Sequence, residues 1–190
     1  AYQSGNIIGQ ELRVLGINMN FAPTVDIYTN PEAHVIGPRS FSADPVEAAF
    51  LSLAYYHGLE DTGVIATAKH YPGHGNADQD SHGTLPVIRD GFDTIWESDL
   101  LPYRLLIKEG LAAVMSGHLN FPLITGNAEP TSLSPTVLKD ILRDKMHFGG
   151  VVITDDMKMY GVRQRDRTIP EVCELALRAG NDMIMISRPP

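Results

Sequence analysis

The feature that most constrains the fold is a regular alternation of helical and strand patterns along all 190 residues. Five times, a helical pattern is followed by a short apolar run, and no linker or low-complexity stretch separates the units. The apolar runs are residues 17–22, 64–69, 111–115, 151–154 and 182–186. Alternation at this spacing predicts parallel strands joined by right-handed helical crossovers. We therefore predict an α/β fold in a single domain, residues 1–190.

Local signals mark the ends of the predicted helices. Residues 3–15 are apolar on one face, and Asp44-Pro45-Val46-Glu47 combines a capping Asp with Pro at the first helical position. Further helices are expected from near Asp93 to Gly110 and from Ser134-Pro135 onward. The second of these has a buried stripe of Val137, Leu138, Ile141 and Leu142. Thr168 and Glu171 predict a capping box for the last helix, which reaches Gly180.

Polar residues gather directly after the second, third and fourth apolar runs. They include Lys69 and His70, His118, and Asp155-Asp156. Functional side chains at the C-terminal ends of several parallel strands favour a (β/α)₈ TIM barrel over an open sheet. A full barrel has eight strands in about 250 residues, and five are counted here. We predict a partial barrel of about five strands with flanking helices, whose missing early strands come from the parent chain or a partner.

The densest polar stretch is residues 69–82, which holds three His, two Asp and one Lys between turn-forming Pro and Gly residues. Such groups are costly to bury and unnecessary for a simple connection, which favours a functional loop over a solvated one. His70, His74, Asp80 and His82 could bind zinc in principle. Their spacings of four, six and two residues match no helical ligand motif such as His-Glu-x-x-His, so no metal is predicted.

Composition and charge exclude several classes of partner. The net charge of −8 argues against nucleic acid and anionic membranes, and no apolar run approaches the ~20 residues of a membrane-spanning helix. No Gly-rich phosphate loop is present, and no cofactor is predicted. The single cysteine, Cys173, excludes an internal disulfide and is typical of a reducing compartment, so we expect an inert packed thiol and a cytoplasmic location.

Four motifs, in order along the chain, resemble the glycoside hydrolase family 3 β-N-acetylglucosaminidases (β-hexosaminidases). The resemblance covers essentially the whole chain. The motifs are Asn20-Phe21-Ala22-Pro23-Thr24-Val25-Asp26-Ile27, Ile36-Gly37-Pro38-Arg39-Ser40-Phe41, Lys69-His70-Tyr71-Pro72-Gly73-His74-Gly75 with Asp80-Ser81-His82, and Thr154-Asp155-Asp156-Met157. An early segment of the Asp-Gln-Glu-Gly-Gly type, which helps these enzymes bind sugar, is absent.

The resemblance implies a retaining glycosidase mechanism with catalytic Asp155, Asp80 and His82. Asp155 is the candidate nucleophile, because it ends a strand and because the resemblance puts that role there; a helix cap is its structural alternative. The resemblance also implies that His82 acts as acid and then base. An imidazole with a pKa near ~6.5 can do both, and Asp80 would fix its tautomer. We interpret Asp156 as a capping or supporting residue.

The same resemblance implies that Arg39, Lys69 and His70 bind the sugar, although the Lys could instead merely snorkel to solvent and the Arg could be merely solvated. His118 follows a strand and is expected to line the pocket. For His74 a structural hydrogen bond within the loop is favoured.

The leading functional hypothesis is a hydrolase that removes terminal β-linked N-acetylglucosamine from cell-wall fragments or related glycans. A phosphorylase on the same scaffold is the alternative, because a His82 acid/base would tolerate an anionic phosphate better than a carboxylate would. A third possibility is an inactive sugar-binding fragment.

Overall fold

A computed structural model describes residues 1–30, 36–77, 83–164 and 166–187. The α-helices in these ranges are α1 (Tyr2–Val14), α2 (Pro45–Glu60), α3 (Phe92–Glu97), α4 (Leu100–Lys108), α5 (Pro122–Thr125) and α6 (Ile169–Ala179). The strands in these ranges are β1 (Met19–Asn20), β2 (Ile65–Tyr71), β3 (Ala113–Ser116) and β4 (Val151–Thr154). The described chain also forms 3₁₀ turns at Gly37–Arg39 and Thr131–Leu133 and a π-helix at Thr136–Lys145.

The four strands form one parallel sheet in the order β1-β2-β3-β4. Each crossover leads to the next strand in the same direction, so the order of the described sheet never reverses. A doubly wound open sheet has such a reversal, whereas a barrel advances steadily around its axis. The predicted α/β class is confirmed, and the strand order is that of a barrel arc.

The predicted fifth strand at residues 182–186 is a single parallel bridge from Met183 to Ile153, so the predicted count of about five strands is corrected to four in the described chain. A regular fifth strand does not form because a side chain accepts the hydrogen bond from a backbone N–H of β4. The Asp182 carboxylate accepts a hydrogen bond from the Val152 N–H at 2.7 Å, and the Asp182 and Met183 N–H groups both donate to the Val152 carbonyl. Side-chain bonds of this kind compete with a regular ladder.

Strand β1 is shorter than the predicted run 17–22, because Pro23 has no N–H to donate to a ladder. Beyond Pro23 the chain still runs beside β2, where the Val25 N–H donates to the Lys69 carbonyl at 2.8 Å. This extended segment carries Asp26 to the C-terminal end of β2.

The helix starts predicted from the capping residues Asp44 and Thr168 are confirmed. Asp44 accepts a hydrogen bond from the Glu47 N–H at 2.8 Å, and Thr168 and Glu171 form the capping box. The stripe predicted for residues 137–142 is buried, although that segment is a π-helix. The main core lies between the sheet and helices α2, α4 and the π-helix; it includes Val64, Ala68, Leu106, Val114, Leu138 and Val152. Cys173 is half-buried against a smaller apolar cluster, and burial raises the pKa of its thiol.

Candidate functional site

The Asp26 carboxylate anchors the loop that follows β2. It is buried and accepts hydrogen bonds from the His74 N–H at 2.7 Å, the His70 N–H at 3.2 Å and His70 Nδ1 at 2.7 Å. Burial alone would raise the pKa of Asp26, but attraction to His70 and the hydrogen bonds from His70 and His74 outweigh it and lower the pKa. Asp26 is therefore a buried anion that ties the loop together.

The contact between its ring and Asp26 fixes the tautomer of His70. An ionised carboxylate can only accept, so His70 Nδ1 carries the proton and Nε2 is the ring atom that can meet a ligand. Only 8% of the His70 side chain is exposed. The His74 ring lies edge-on to it with ring centroids 5.9 Å apart, and burial lowers the pKa of His74 against the attraction of Asp26. The His74 backbone N–H donates to Asp26, which lies 48 residues away and outside the loop in which a structural hydrogen bond was predicted.

Two glycines allow the loop to lie directly on neighbouring groups. A Cβ at Gly75 would lie 1.8 Å from the Ile27 carbonyl oxygen, and one at Gly73 would lie 2.5 Å from Asp99 Oδ1. Gly73 also has a φ of +147°, which side chains of L-residues rarely allow. This close approach is what lets Asp26 reach the N–H groups of both His70 and His74.

Asp155 follows β4 directly, at the same edge of the sheet. Its N–H donates to the Ser116 carbonyl at 2.9 Å, which holds the residue against the end of β3. Its Oδ1 accepts a hydrogen bond from the Asp156 N–H at 2.8 Å, and the residue is half-buried. One carboxylate oxygen is thus held in place, and within the described ranges no hydrogen bond engages Oδ2.

Lys69 interacts electrostatically with Asp155, and Arg39 lies close enough to act on Lys69. Burial and the nearby Arg39 charge lower the pKa of half-buried Lys69, whereas Asp155 and Asp26 raise it. The 3₁₀ turn that carries Arg39 is held close by Ser40, whose Oγ donates to the Asp26 carbonyl at 2.7 Å. The structure therefore brings Arg39, Lys69, His70 and Asp155 to one edge of the sheet.

His118 is placed differently from the expectation that it lines the pocket. Its ring is fully buried, Nε2 lies 3.1 Å from the Asp156 carbonyl oxygen, and Nδ1 lies 2.8 Å from Ser132 Oγ. A carbonyl can only accept, so Nε2 carries the proton and Ser132 donates to Nδ1. Burial lowers the pKa of His118 against the attraction of Asp155 and Asp156, which favours this neutral ring. With both nitrogens engaged, His118 supports the Asp155–Asp156 turn from beneath.

The buried network extends from His118 to the other side of the turn. Asn181 donates to the Ser132 carbonyl at 2.8 Å and accepts from Ser116 Oγ at 2.6 Å. On the outer side, Asp156 Oδ1 accepts from the Lys158 N–H at 3.0 Å and the Ser187 N–H at 3.2 Å. Burial alone would raise the pKa of Asp156, but these hydrogen bonds outweigh it and lower the pKa. Asp156 therefore caps the turn, as expected for a capping or supporting residue.

Asp80 and His82 lie outside the described residues, so the predicted Asp–His dyad stays a prediction. In the described ranges, no three His, Cys, Asp or Glu side chains are grouped so that they could hold a metal ion.

Asp26 lies within the first of the four motifs, but the sequence alone indicates no role for it. The available signal was its place just beyond the first apolar run, where a parallel fold brings strand ends together.

Comparison with known proteins identifies the family of this chain. The glycosyl hydrolase family 3 N-terminal domain matches residues 1–190. A β-hexosaminidase of Thiobacillus denitrificans is 37% identical over 190 residues, which are 100% of this chain and 52% of that protein. A solved family 3 β-N-acetylglucosaminidase from Paenibacillus sp. strain FPU-7 has a TM-score of 0.96 and 39% identity, covering 99% of this chain and 36% of that one.

A third relative has a different activity in its name. The structure of the β-glucoside phosphorylase BglX bound to 2FGlc has a TM-score of 0.93 and 28% identity, covering 100% of this chain and 35% of that one. The chain thus spans about half the length of the curated relative and about a third of each solved one. The predicted family and barrel-type fold are confirmed: this chain belongs to glycosyl hydrolase family 3, whose N-terminal domain it matches along its whole length.

Proposed function

We propose that the protein is a retaining glycoside hydrolase that removes terminal β-linked N-acetylglucosamine from cell-wall fragments or related glycans. The observation that carries the proposal is the convergence of Asp155 with Lys69 and His70 at the ends of β4 and β2, in a family 3 chain. The names of the β-hexosaminidase and β-N-acetylglucosaminidase relatives support the choice of sugar.

The residues suggest a two-step reaction. Asp155 Oδ2 attacks the anomeric carbon while the bond to the leaving oxygen breaks, and His82 gives that oxygen its proton. In the second step His82 takes a proton from water, the water oxygen bonds to the anomeric carbon, and the Asp155 ester bond breaks. Asp80 would hold the His82 ring and stabilise its charged form.

Three residues are proposed to position the sugar. Lys69 and Arg39 present N–H donors to hydroxyl or acetamido oxygens. His70 presents Nε2 as an acceptor for a sugar hydroxyl, because Asp26 fixes its proton on Nδ1.

The nucleophile is tested by Asp155→Ala in the full-length protein. We expect kcat to fall more than tenfold, a loss of over ~1.4 kcal/mol in transition-state stabilisation, and the covalent glycosyl-enzyme to disappear from mass spectra of a slow substrate. Asp140→Ala, which removes an exposed carboxylate from the π-helix, serves as the matched control and keeps full activity. More than a tenth of the original kcat in Asp155→Ala would remove Asp155 from the proposed role.

The dyad is tested separately, because general acid–base assistance is typically worth about 10²–10⁴-fold. His82→Ala should lose that much kcat on a poor leaving group and less on a dinitrophenyl glycoside, which needs little protonation. Asp80→Asn should lose a substantial part of it, and the double variant should be little worse than His82→Ala, because the residues act as one unit. His57→Ala, at a half-exposed histidine, is the control. Fully additive losses, or equal losses on both substrates, would return the pair to a structural role.

Phosphorolysis is the second candidate, and the phosphorylase relative favours it. Arg39 and Lys69 would attract a phosphate to the same edge of the sheet. Rates measured with and without phosphate, together with detection of the sugar 1-phosphate, separate the two reactions. If neither reaction occurs while sugar still binds, the protein is an inactive sugar-binding domain.

The proposed partner is a carbohydrate, with the remaining barrel strands supplied by the parent chain or a partner. None of the helices in the described ranges is long and apolar enough to cross a membrane. A cytoplasmic location is proposed from the single cysteine and is tested by cell fractionation.

A further inference from the structure

A second concave site lies at the opposite end of the sheet from Asp155. It is a cavity of about 450 Å³ between α4 and the end of the π-helix. Both elements end there just before β3 and β4 begin, whereas Asp155 follows the other end of β4. The cavity is lined by Trp96, Arg104, Ile107, Lys108, Lys145, Met146 and His147. None of the residues assigned to the glycosidase site is among them.

The cavity, which we call the basic cavity, is positive in a protein whose net charge is −8. Arg104, Lys108 and Lys145 line it together with His147, and no carboxylate does. In the described part of the chain, no ion pair joins any of the three cations to an acidic side chain. Within the described residues, none of the three cations is therefore held by a carboxylate within 4 Å.

Two of these cations share one aromatic ring. The Arg104 guanidinium carbon lies 4.4 Å from the centroid of the Trp96 ring, and Lys145 Nζ lies 5.2 Å from the same centroid. Arg104 Nη2 donates to the Trp96 carbonyl at 2.8 Å, which fixes the guanidinium beside the ring. Arg104 Nε is buried and has no hydrogen-bond partner in the described structure. The guanidinium of Arg104 thus has a fixed position, and its Nη1 group makes no hydrogen bond within the described part of the chain, so Nη1 is the nitrogen available to a ligand.

Cation–π contact explains where each cation rests but does not neutralise it. Charges that share one ring lie within a Debye length of about 10 Å, so Arg104 and Lys145 repel each other. A bound anion would turn this repulsion into attraction and would give Arg104 a partner. Trp96, Ile107 and Met146 offer apolar surface beside the charges, so a ligand that fills the cavity needs an apolar body as well.

We propose that the basic cavity binds a small organic carboxylate with an aromatic or branched apolar body. The guanidinium fork matches the two oxygens of a carboxylate, and Lys145 supplies a second charge. The volume lies in the range of about 300–1,000 Å³ that is usual for small-molecule pockets. A protein partner would need about 800 Å² of contact surface on each side, so a small molecule fits this concave site better than a peptide.

The test uses the full-length protein and two probes of nearly equal shape, 4-butylbenzoate and uncharged 4-butylbenzamide. By isothermal titration calorimetry at physiological salt, the carboxylate should bind at least tenfold more tightly than the amide. Lys145→Gln and Arg104→Lys should each weaken carboxylate binding about tenfold, and Lys139→Gln, an exposed cation on the same π-helix, should leave it unchanged. Trp96 is the single tryptophan of this sequence. The fluorescence component that Trp96→Phe removes should therefore change when 4-butylbenzoate binds to the unmodified protein.

The outcome also separates this cavity from the glycosidase site. Glycosidase activity should be unchanged in Lys145→Gln, and N-acetylglucosamine should not displace the carboxylate. Equal binding of the two probes, or unchanged carboxylate binding in Lys145→Gln, would overturn the proposal. Tighter binding of a poly-glutamate peptide than of 4-butylbenzoate would overturn it in favour of an acidic protein partner.

Discussion

At the scale of single residues, the candidate site depends on buried groups that orient the reactive ones. Asp26 fixes the proton of His70, and His118 supports the turn that carries Asp155. If a supporting group is displaced, the residue that it holds shifts or changes its protonation state, even though the supporting group contacts no substrate. The activity of the site should therefore be sensitive to changes at residues that are not themselves reactive.

Asp26→Asn tests this dependence. An amide NH₂ group would face the N–H donors of His70 and His74, so a buried donor would be left unpaired. We expect the free energy of unfolding at pH 7 to fall by about 2–4 kcal/mol and kcat/KM to fall about 10–100-fold. Urea denaturation and initial rates measure the two effects, and Asp140→Asn at an exposed carboxylate is the matched control. Unchanged kinetics in a destabilised variant would leave Asp26 with a purely structural role.

The pH dependence of the free energy of unfolding provides a second test of Asp26. The pKa of Asp26 is lower in the folded protein than its ordinary value of 3.8, so ionised Asp26 contributes stability fully above that value. The contribution is lost as the pH falls through the lower, folded pKa. The stability difference between wild type and Asp26→Asn should therefore shrink as the pH falls below 3.8.

At the scale of elements, the loop after β2 is held by contact between backbones. Gly75→Ala would place a Cβ 1.8 Å from the Ile27 carbonyl oxygen, and a backbone atom cannot rotate away as a side chain can. We expect a loss of about 1–3 kcal/mol in the free energy of unfolding, together with reduced kcat as the loop shifts. Gly149→Ala, whose added Cβ meets nothing within 4 Å, should change stability by less than about 0.5 kcal/mol. Similar losses in both variants would show that glycine flexibility, not close packing, matters at Gly75.

At the scale of the whole molecule, apolar side chains remain exposed on α1 and in the segment that joins it to β1. Ile7 is 58% exposed, Leu15 73% and Ile17 42%. Within the described sheet, β1 pairs on one side only, with β2. We propose that further barrel strands cover this face in the full-length protein, because an uncovered apolar edge promotes association.

The 190-residue chain expressed alone should therefore self-associate in light-scattering measurements. The double variant Ile7→Lys with Leu15→Lys should shift it toward a monomer, because charge on the uncovered face opposes pairing. Leu123→Lys, at a 68% exposed residue of α5, is the control and should not. A monodisperse monomer of the unmodified chain would contradict the proposed covering segment.

The sequence by itself determined the order of elements, the family resemblance and the edge where the site forms. These depend on local patterns: four of the five apolar runs contain strands, and the caps at Asp44 and Thr168 form as predicted. The reason is that helix caps and hydrophobic periodicity involve residues close together in the chain.

Only the tertiary structure decided which polar groups became partners. Asp26 and His70 are 44 residues apart, and His118 meets a carbonyl 38 residues away, so no local spacing could pair them. The fifth apolar run was decided in the same way, because the Asp182 carboxylate reached the Val152 N–H 30 residues earlier in the chain. A buried polar group binds whichever partner the fold brings within reach, since leaving it unpaired costs about 1–3 kcal/mol. That choice depends on distances between strands, which appear only when the sheet has formed.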